Sequence, residues 1–191
     1  MKLFKFLTRV ALVGIVFIGT MASTNSVISD YVVKNVSAAE KPKFNDLEIA
    51  HIAYTAGAID VRYAHLALAL SENPEVLKFA ALMVRDHTAV NRKALALVKK
   101  LQITPQDNGM SQQLSKQAMQ IREEFSQLRG NALAKRYAEN ELGYHKAVNN
   151  AVEQVLIPSA QNRELKSLLK AALRTFKVHQ GHAEAMNRKV R

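Results

Sequence analysis

The chain has 191 residues, no cysteine, no tryptophan and a formal net charge of +11. Without a thiol it cannot use disulfides, thiolate metal sites, cysteine nucleophiles or c-type haem attachment. Its basic residues are scattered among acids, and the longest basic patch is a short tail at Arg188, Lys189 and Arg191. No nucleic-acid partner is expected; the charge suits a solvated face or an anionic envelope surface.

Lys2, Lys5 and Arg9 precede an apolar run over residues 10–22 (VALVGIVFIGTMA). That run is shorter than the roughly 20 residues a membrane-spanning helix needs. Small residues follow, so the pattern predicts a secretory signal peptide, cut after Ala22 or after Ala38 or Ala39. The later site is favoured because residues 23–39 show no helical periodicity. The expected division is a signal peptide and leader over 1–39 and a helical domain over 40–191. The expected location is outside the cytoplasm, in the periplasm or cell envelope, with no transmembrane anchor after cleavage.

Apolar residues then recur at spacings of three and four in five stretches, and no stretch alternates with period two. The first begins near Asn45 and Asp46, both suited to capping, and carries the seam Ile49, Ile52, Ala56, Ile59, Tyr63, Leu66 and Leu70. Asn73 and Pro74 open the second, which runs to about residue 102 with Val76, Ala80, Met83, His87, Val90, Ala94, Leu97 and Leu101 inward. A loop at 104–109 precedes a shorter helix over about 111–128, which Gly130 closes. The fourth helix spans about 131–156 with Ala134, Tyr137, Glu141, Tyr144, Val148, Ala151 and Val155 on one row, and Pro158 breaks it. The fifth spans about 162–189 with Leu165, Leu169, Ala172, Phe176, His179, Ala183, Met186 and Val190 inward. Short connections make the first two and the last two helices antiparallel hairpins. The expected fold is all-α: a four-helix bundle of two hairpins plus one short connecting helix.

Three groups on the apolar rows carry chemistry: His87, His179 and Glu141. A polar ring on a core row needs a hydrogen-bond partner or a metal. His145 lies one turn beyond Glu141, about 40° round from it. Asp60 lies about 80° from the centre of the first seam and is expected to flank the core rather than point into it. Heights counted from the hairpin turns put His87 opposite Ile59 and Asp60, and His179 within a turn of Glu141. Whether the two histidines meet depends on how the hairpins slide past each other. One reading is a transition-metal site from His87, His145, His179, Glu141 and Asp60, with Asp86 as ligand or supporting partner. The other is a buried hydrogen-bond network with the pairs His87–Asp60 and His179–Glu141. Glu48 with His51, His65 and His182 are expected in surface or capping roles. There is no Gly-rich phosphate loop, no His-Glu-x-x-His and no Gly-x-Ser-x-Gly, so no enzyme is indicated.

The segment Phe79-Ala80-Ala81-Leu82-Met83-Val84-Arg85-Asp86-His87-Thr88 resembles a motif of a bacterial domain-of-unknown-function family. Its members are exported, ferritin-like helical proteins often labelled outer membrane proteins. Ala56-Gly57-Ala58-Ile59-Asp60, Tyr137 with His145, and Phe176 with His179 extend the resemblance over about 44–190. It implies a ferritin-like four-helix bundle and no known activity. It carries over His87, His145 and His179, with an acid at Asp60 where the family usually has Glu. Di-iron proteins of ferritin type use a Glu from each of two helices and Glu-x-x-His from each of two others. Here Phe176 stands three residues before His179, which argues against ferroxidase chemistry. The first reading is therefore an exported cell-envelope bundle of uncharacterised, stress- or metal-related role. The alternatives are a protein storing or sensing a transition metal, and a basic module binding anionic envelope polymers.

Overall fold

The computed structural model describes residues 43–190. The expected leader and its cleavage points lie outside these residues. Within them the chain is all-helical: α1 Asp46–Leu70, α2 Pro74–Leu101, α3 Gly109–Gln127, α4 Gly130–Ala151 and α5 Arg163–Lys189. Among the described residues no helix is long and apolar enough to cross a membrane.

Asparagine starts four of the five helices, because its short side-chain carbonyl reaches the free N–H groups of a first turn. Asn45 Oδ1 accepts from the N–H groups of Leu47 and Glu48, while Glu48 returns a carboxylate to the Asn45 N–H at 2.9 Å. Asn73, Asn108 and Asn162 cap α2, α3 and α5 in the same way. The fourth helix has no side-chain cap. Gly130 opens it at φ +53°, a left-handed conformation that glycine adopts without steric cost. It thus serves the α3–α4 junction from the start of α4 rather than from the end of α3.

The expected break at Pro158 takes another form. After α4 the chain makes a π turn, Val152–Leu156, and one further α turn, Ile157–Ser159, that contains the proline. The Ile157 N–H donates to the Val152 carbonyl, five residues back. Widening the helix in this way makes room ahead of a residue that has no N–H and a bulky ring.

The first helix packs most heavily on α2, and α4 on α5; α3 covers another side of α1, and α2 lies along α5. Because α1 is enclosed on several sides, its buried face is wider than its seam. Gly57, Asp60, Ala64 and Ala67 are buried, whereas Leu66 and Leu70 are only half-buried. The core is continuous from Ile49 to Met186.

One polar tie joins the two hairpins at their shared end. The Asp46 carboxylate accepts the N–H groups of Gln161 and Asn162, at 2.8 and 2.9 Å, across the turn before α5. Asp46→Ala should therefore lower stability by about 1–2 kcal/mol in urea unfolding, since the two donors lose a charged acceptor. A change below about 0.5 kcal/mol would mean that water replaces the carboxylate without loss.

Candidate functional site

The polar residues of the core converge midway along the bundle. Asp60 comes from α1, His87 from α2, Glu141 and His145 from α4, and His179 from α5. Asp60 and Glu141 are fully buried, and no more than 2 % of any of the three histidines is exposed. The imidazole rings form a triangle, with centroids 5.3 Å apart for His87–His179, 5.6 Å for His145–His179 and 5.7 Å for His87–His145. Phe176 stacks on His87 at 4.6 Å with the planes 3° from parallel, and Phe79 meets His145 edge-on.

The partners outside the triangle fix which ring nitrogen carries a proton. His145 Nδ1 lies 2.9 Å from the Glu141 carbonyl oxygen. A carbonyl only accepts, so Nδ1–H donates and Nε2 keeps its lone pair. His179 Nε2 lies 2.9 Å from Asp86 Oδ2. Arg85 clamps Asp86 through two bonds of 2.7 and 3.1 Å. The Arg85 hydrogen bond holds the Asp86 carboxyl below the usual range, with the His179 contact adding to it, so Asp86 is an ionised acceptor. Nε2–H of His179 therefore donates, which leaves Nδ1 as a bare acceptor in the core. Histidines that bind metals are oriented in this way, by a carboxylate or carbonyl on the far nitrogen.

The inward-facing atoms lack hydrogen bonds. His145 Nε2, His179 Nδ1, both nitrogens of His87, both oxygens of Asp60 and Glu141 Oε2 are all buried without a hydrogen-bond partner among the described residues. Asp60 Oδ2 nevertheless lies 3.0 Å from His87 Nε2 and 3.5 Å from His145 Nε2. The separations are short, but the directions do not suit hydrogen bonding. Two triads bring their ligand atoms within 4.8 Å of one another: His87 with His145 and His179, and Asp60 with Glu141 and His145. Bonds of about 2.0–2.1 Å to a tetrahedral ion would set neighbouring ligands about 3.3 Å apart. The Asp60–His87 and Asp60–His145 distances bracket that value.

Burial dominates the electrostatics. It pushes the Asp60 carboxyl up to about 8 and Glu141 well above its usual value, the latter raised further by Asp60. It also pushes His145 down to about 4 and His87 well below normal. His179 is lowered by burial as well, against the opposing pull of Asp86. The acids are shut off from solvent and no cation among the described residues sits opposite them, so carboxylic acids and neutral imidazoles are favoured over ions.

All five site residues expected from sequence meet here. The His87–Asp60 proximity follows from the hairpin heights. Two expectations are corrected. Asp60 points into the core rather than flanking it, because helices on several sides widen the buried arc of α1. His179 pairs with Asp86 and not with Glu141, whose carboxylate lies 3.7 Å from His145 Nδ1. Glu48 closes the Asn45 cap, His51 faces Asp107 at 3.6 Å, and His65 and His182 are exposed. Sequence reasoning placed Phe176 and Tyr137 on inward rows but missed the Arg85 clamp, the stacking of Phe176 on His87 and the Tyr137 hydroxyl, which is buried beside the acids with no hydrogen-bond partner among the described residues. The Arg85-Asp86-His87 succession was the available signal for the clamp.

A family described as "Domain of unknown function (DUF4142)" matches residues 32–186. No curated protein and no solved structure matches the chain.

The buried groups make the stability of the metal-free protein depend on pH. A carboxyl whose folded pKa is raised contributes stability that is complete below its unfolded pKa. For Asp60 that contribution is lost as pH rises from about 4 through about 8. A histidine whose folded pKa is depressed contributes stability present above about 6.5, which is lost as pH falls; for His145 the loss runs through about 4. Between these limits the two trends oppose each other. Above pH 6.5 only the carboxyl trend remains. Stability in urea should fall between pH 6.5 and 8, and Asp60→Asn should remove about 1.4 kcal/mol per pH unit of that slope. A flat profile would mean that Asp60 is already ionised against His87.

Proposed function

The chain belongs to the DUF4142 family, whose description assigns no activity, and we propose that it binds a divalent transition-metal ion within its helical bundle. One observation carries the proposal. Imidazole and carboxylate atoms at ligand spacing are buried together without hydrogen bonds to any described residue, and two of the histidines have their outer nitrogens tied to acceptors. A purely structural network would satisfy its members internally, because each orphaned buried polar group costs about 1–3 kcal/mol.

The proposed ligands are the three histidines, through Nδ1 of His179, Nε2 of His145 and a nitrogen of His87, with the Asp60 carboxylate beside His87 and His145 and Glu141 on the far side of His145. This mixed nitrogen and oxygen set suits zinc, iron, copper or nickel rather than magnesium or calcium, which prefer oxygen alone. Metal binding would convert Asp60 from acid to carboxylate, so affinity should rise with pH as protons are released. The bundle is proposed to be of ferritin type in its helix arrangement, with a mononuclear centre. Position 176 is Phe, not the Glu that a paired-iron site would use on that helix. With the leader pattern of residues 1–39, the role proposed is storage or sensing of metal outside the cytoplasm.

Elemental analysis tests the reading. Untagged protein incubated with excess Zn²⁺ and desalted should retain about one equivalent, and His87→Ala/His179→Ala should retain none while keeping its helical spectrum. Zinc should also raise the thermal midpoint of the wild type and not that of the variant. If neither protein holds zinc, iron or copper, the core residues are a packing network and the proposal fails.

A further inference from the structure

A second feature of the bundle goes beyond the proposed metal centre. Between α1, α2, α5 and the α4 end lies a cavity of about 360 Å³. Its wall runs along α1 from Leu47 to Ala56 and along α5 from Leu165 to Phe176, a length of about 15 Å at 1.5 Å per residue. The space is elongated and its lining is almost wholly apolar.

Three properties of the chain create it. Alanine occupies wall positions that a filled core would give to larger residues, notably Ala53, Ala56, Ala94 and Ala172. The π turn places Val152 and Leu156 on the wall where the helix is wider than an α-helix. The apolar row of α2 is fully buried only as far as His87; beyond it Val90, Ala94, Leu97 and Leu101 are half-buried. The sequence thus keeps the helix apolar on its inner face along a stretch where no described residue fills the space.

We infer that this cavity binds a single-chain, neutral amphiphile: an unbranched hydrocarbon chain with a hydroxyl or carbonyl at one end. Apolar space of this kind favours apolar ligands, which bury hydrocarbon surface on entering it. A peptide segment is a poor occupant, because its backbone N–H and C=O groups would find few partners against such a wall. The polar end is assigned to Asn91. Asn91 is a wall residue, and its side-chain amide makes no hydrogen bond to any described residue. It lies against Gly57 so closely that a methyl group there would stand 2.3 Å from Asn91 Oδ1. Glycine at 57 is what allows this approach. Among the described residues the wall carries no Lys, Arg or His, so an anionic head would be desolvated without a cation beside it. The inner end reaches Phe176, the ring stacked on His87, so bound ligand would lie one aromatic ring away from the histidine cluster.

Equilibrium dialysis of the full chain with 1-decanol and with decanoate, each with and without a metal chelator, tests the inference. One equivalent of 1-decanol should bind saturably and more tightly than decanoate, and it should still do so in the presence of the chelator. That last result separates this site from the metal reading. Ala53→Leu and Ala172→Leu, introduced singly, should fold with unchanged or higher thermal midpoints and lose about tenfold or more of the affinity, because the added side chains occupy the space. Asn91→Leu should weaken 1-decanol by about five- to tenfold, the worth of one hydrogen bond, and leave 1-bromodecane unaffected. No saturable uptake by the wild type would overturn the inference. So would uptake that both leucine variants leave unchanged.

Discussion

Exclusion of water from Asp60 is the constraint on which the rest of the structure turns. A carboxyl on the first helix is enclosed by helices on several sides, at zero exposure and without a hydrogen bond to any described residue. Such a group must be neutralised, and the surroundings offer two routes: a proton or a cation. The proton route raises its pKa and leaves the facing imidazoles as uncharged acceptors. The cation route uses the same lone pairs as ligands. On the proposed reading, protons and a metal ion would compete for these atoms. The outer bonds from His145 to the Glu141 carbonyl and from His179 to Asp86 hold the rings in the same orientation for either outcome.

The fold was largely legible because its signals are local. Asparagine caps, a proline at the start of α2 and three-four apolar spacing each act within a turn or two. The site was legible for a related reason: His87, His179 and Glu141 interrupt rows that are otherwise apolar. What could not be read was anything that depends on the number of neighbours around a helix. Asp60 sits away from the centre of its seam, yet it is buried because α2 and α3 cover different sides of α1. The pairing of His179 with Asp86 rather than Glu141 likewise depends on how α2 and α5 lie side by side. Spacing within either helix carries no record of that. The π turn was hidden for another reason. Pro158 marks a disturbance, but sequence does not say whether the chain ends the helix there or widens it beforehand.

The two ends of the bundle are built differently, and His87 marks the boundary. On the side of the α1–α2 turn, Val76, Phe79, Ala80 and Met83 are buried, Phe79 meets Tyr137 edge-on, and Tyr63, Tyr137 and Tyr144 form an edge-to-face cluster with Phe125 near 5.7 Å. On the other side the α2 row becomes half-buried, and alanines replace large residues on the facing helices. A bundle needs close packing over only part of its length to fix the relative heights of its helices. Here the dense half can supply that. The histidines sit where the packing changes, rigidly held from one side by the aromatic cluster.

The same arrangement gives the ring of Phe176 two neighbours that differ in chemistry. It stacks on His87 in the polar cluster and lines the apolar cavity. Any change in the tilt of His87, whether from protonation of its partners or from an ion among them, has to be accommodated by that stacked ring, because the planes lie 3° from parallel at 4.6 Å. Close-packed groups transmit small displacements rather than absorb them. Contents of the cavity would press on the same ring from their own side. Phe176 thus belongs at once to the polar cluster and to the cavity wall.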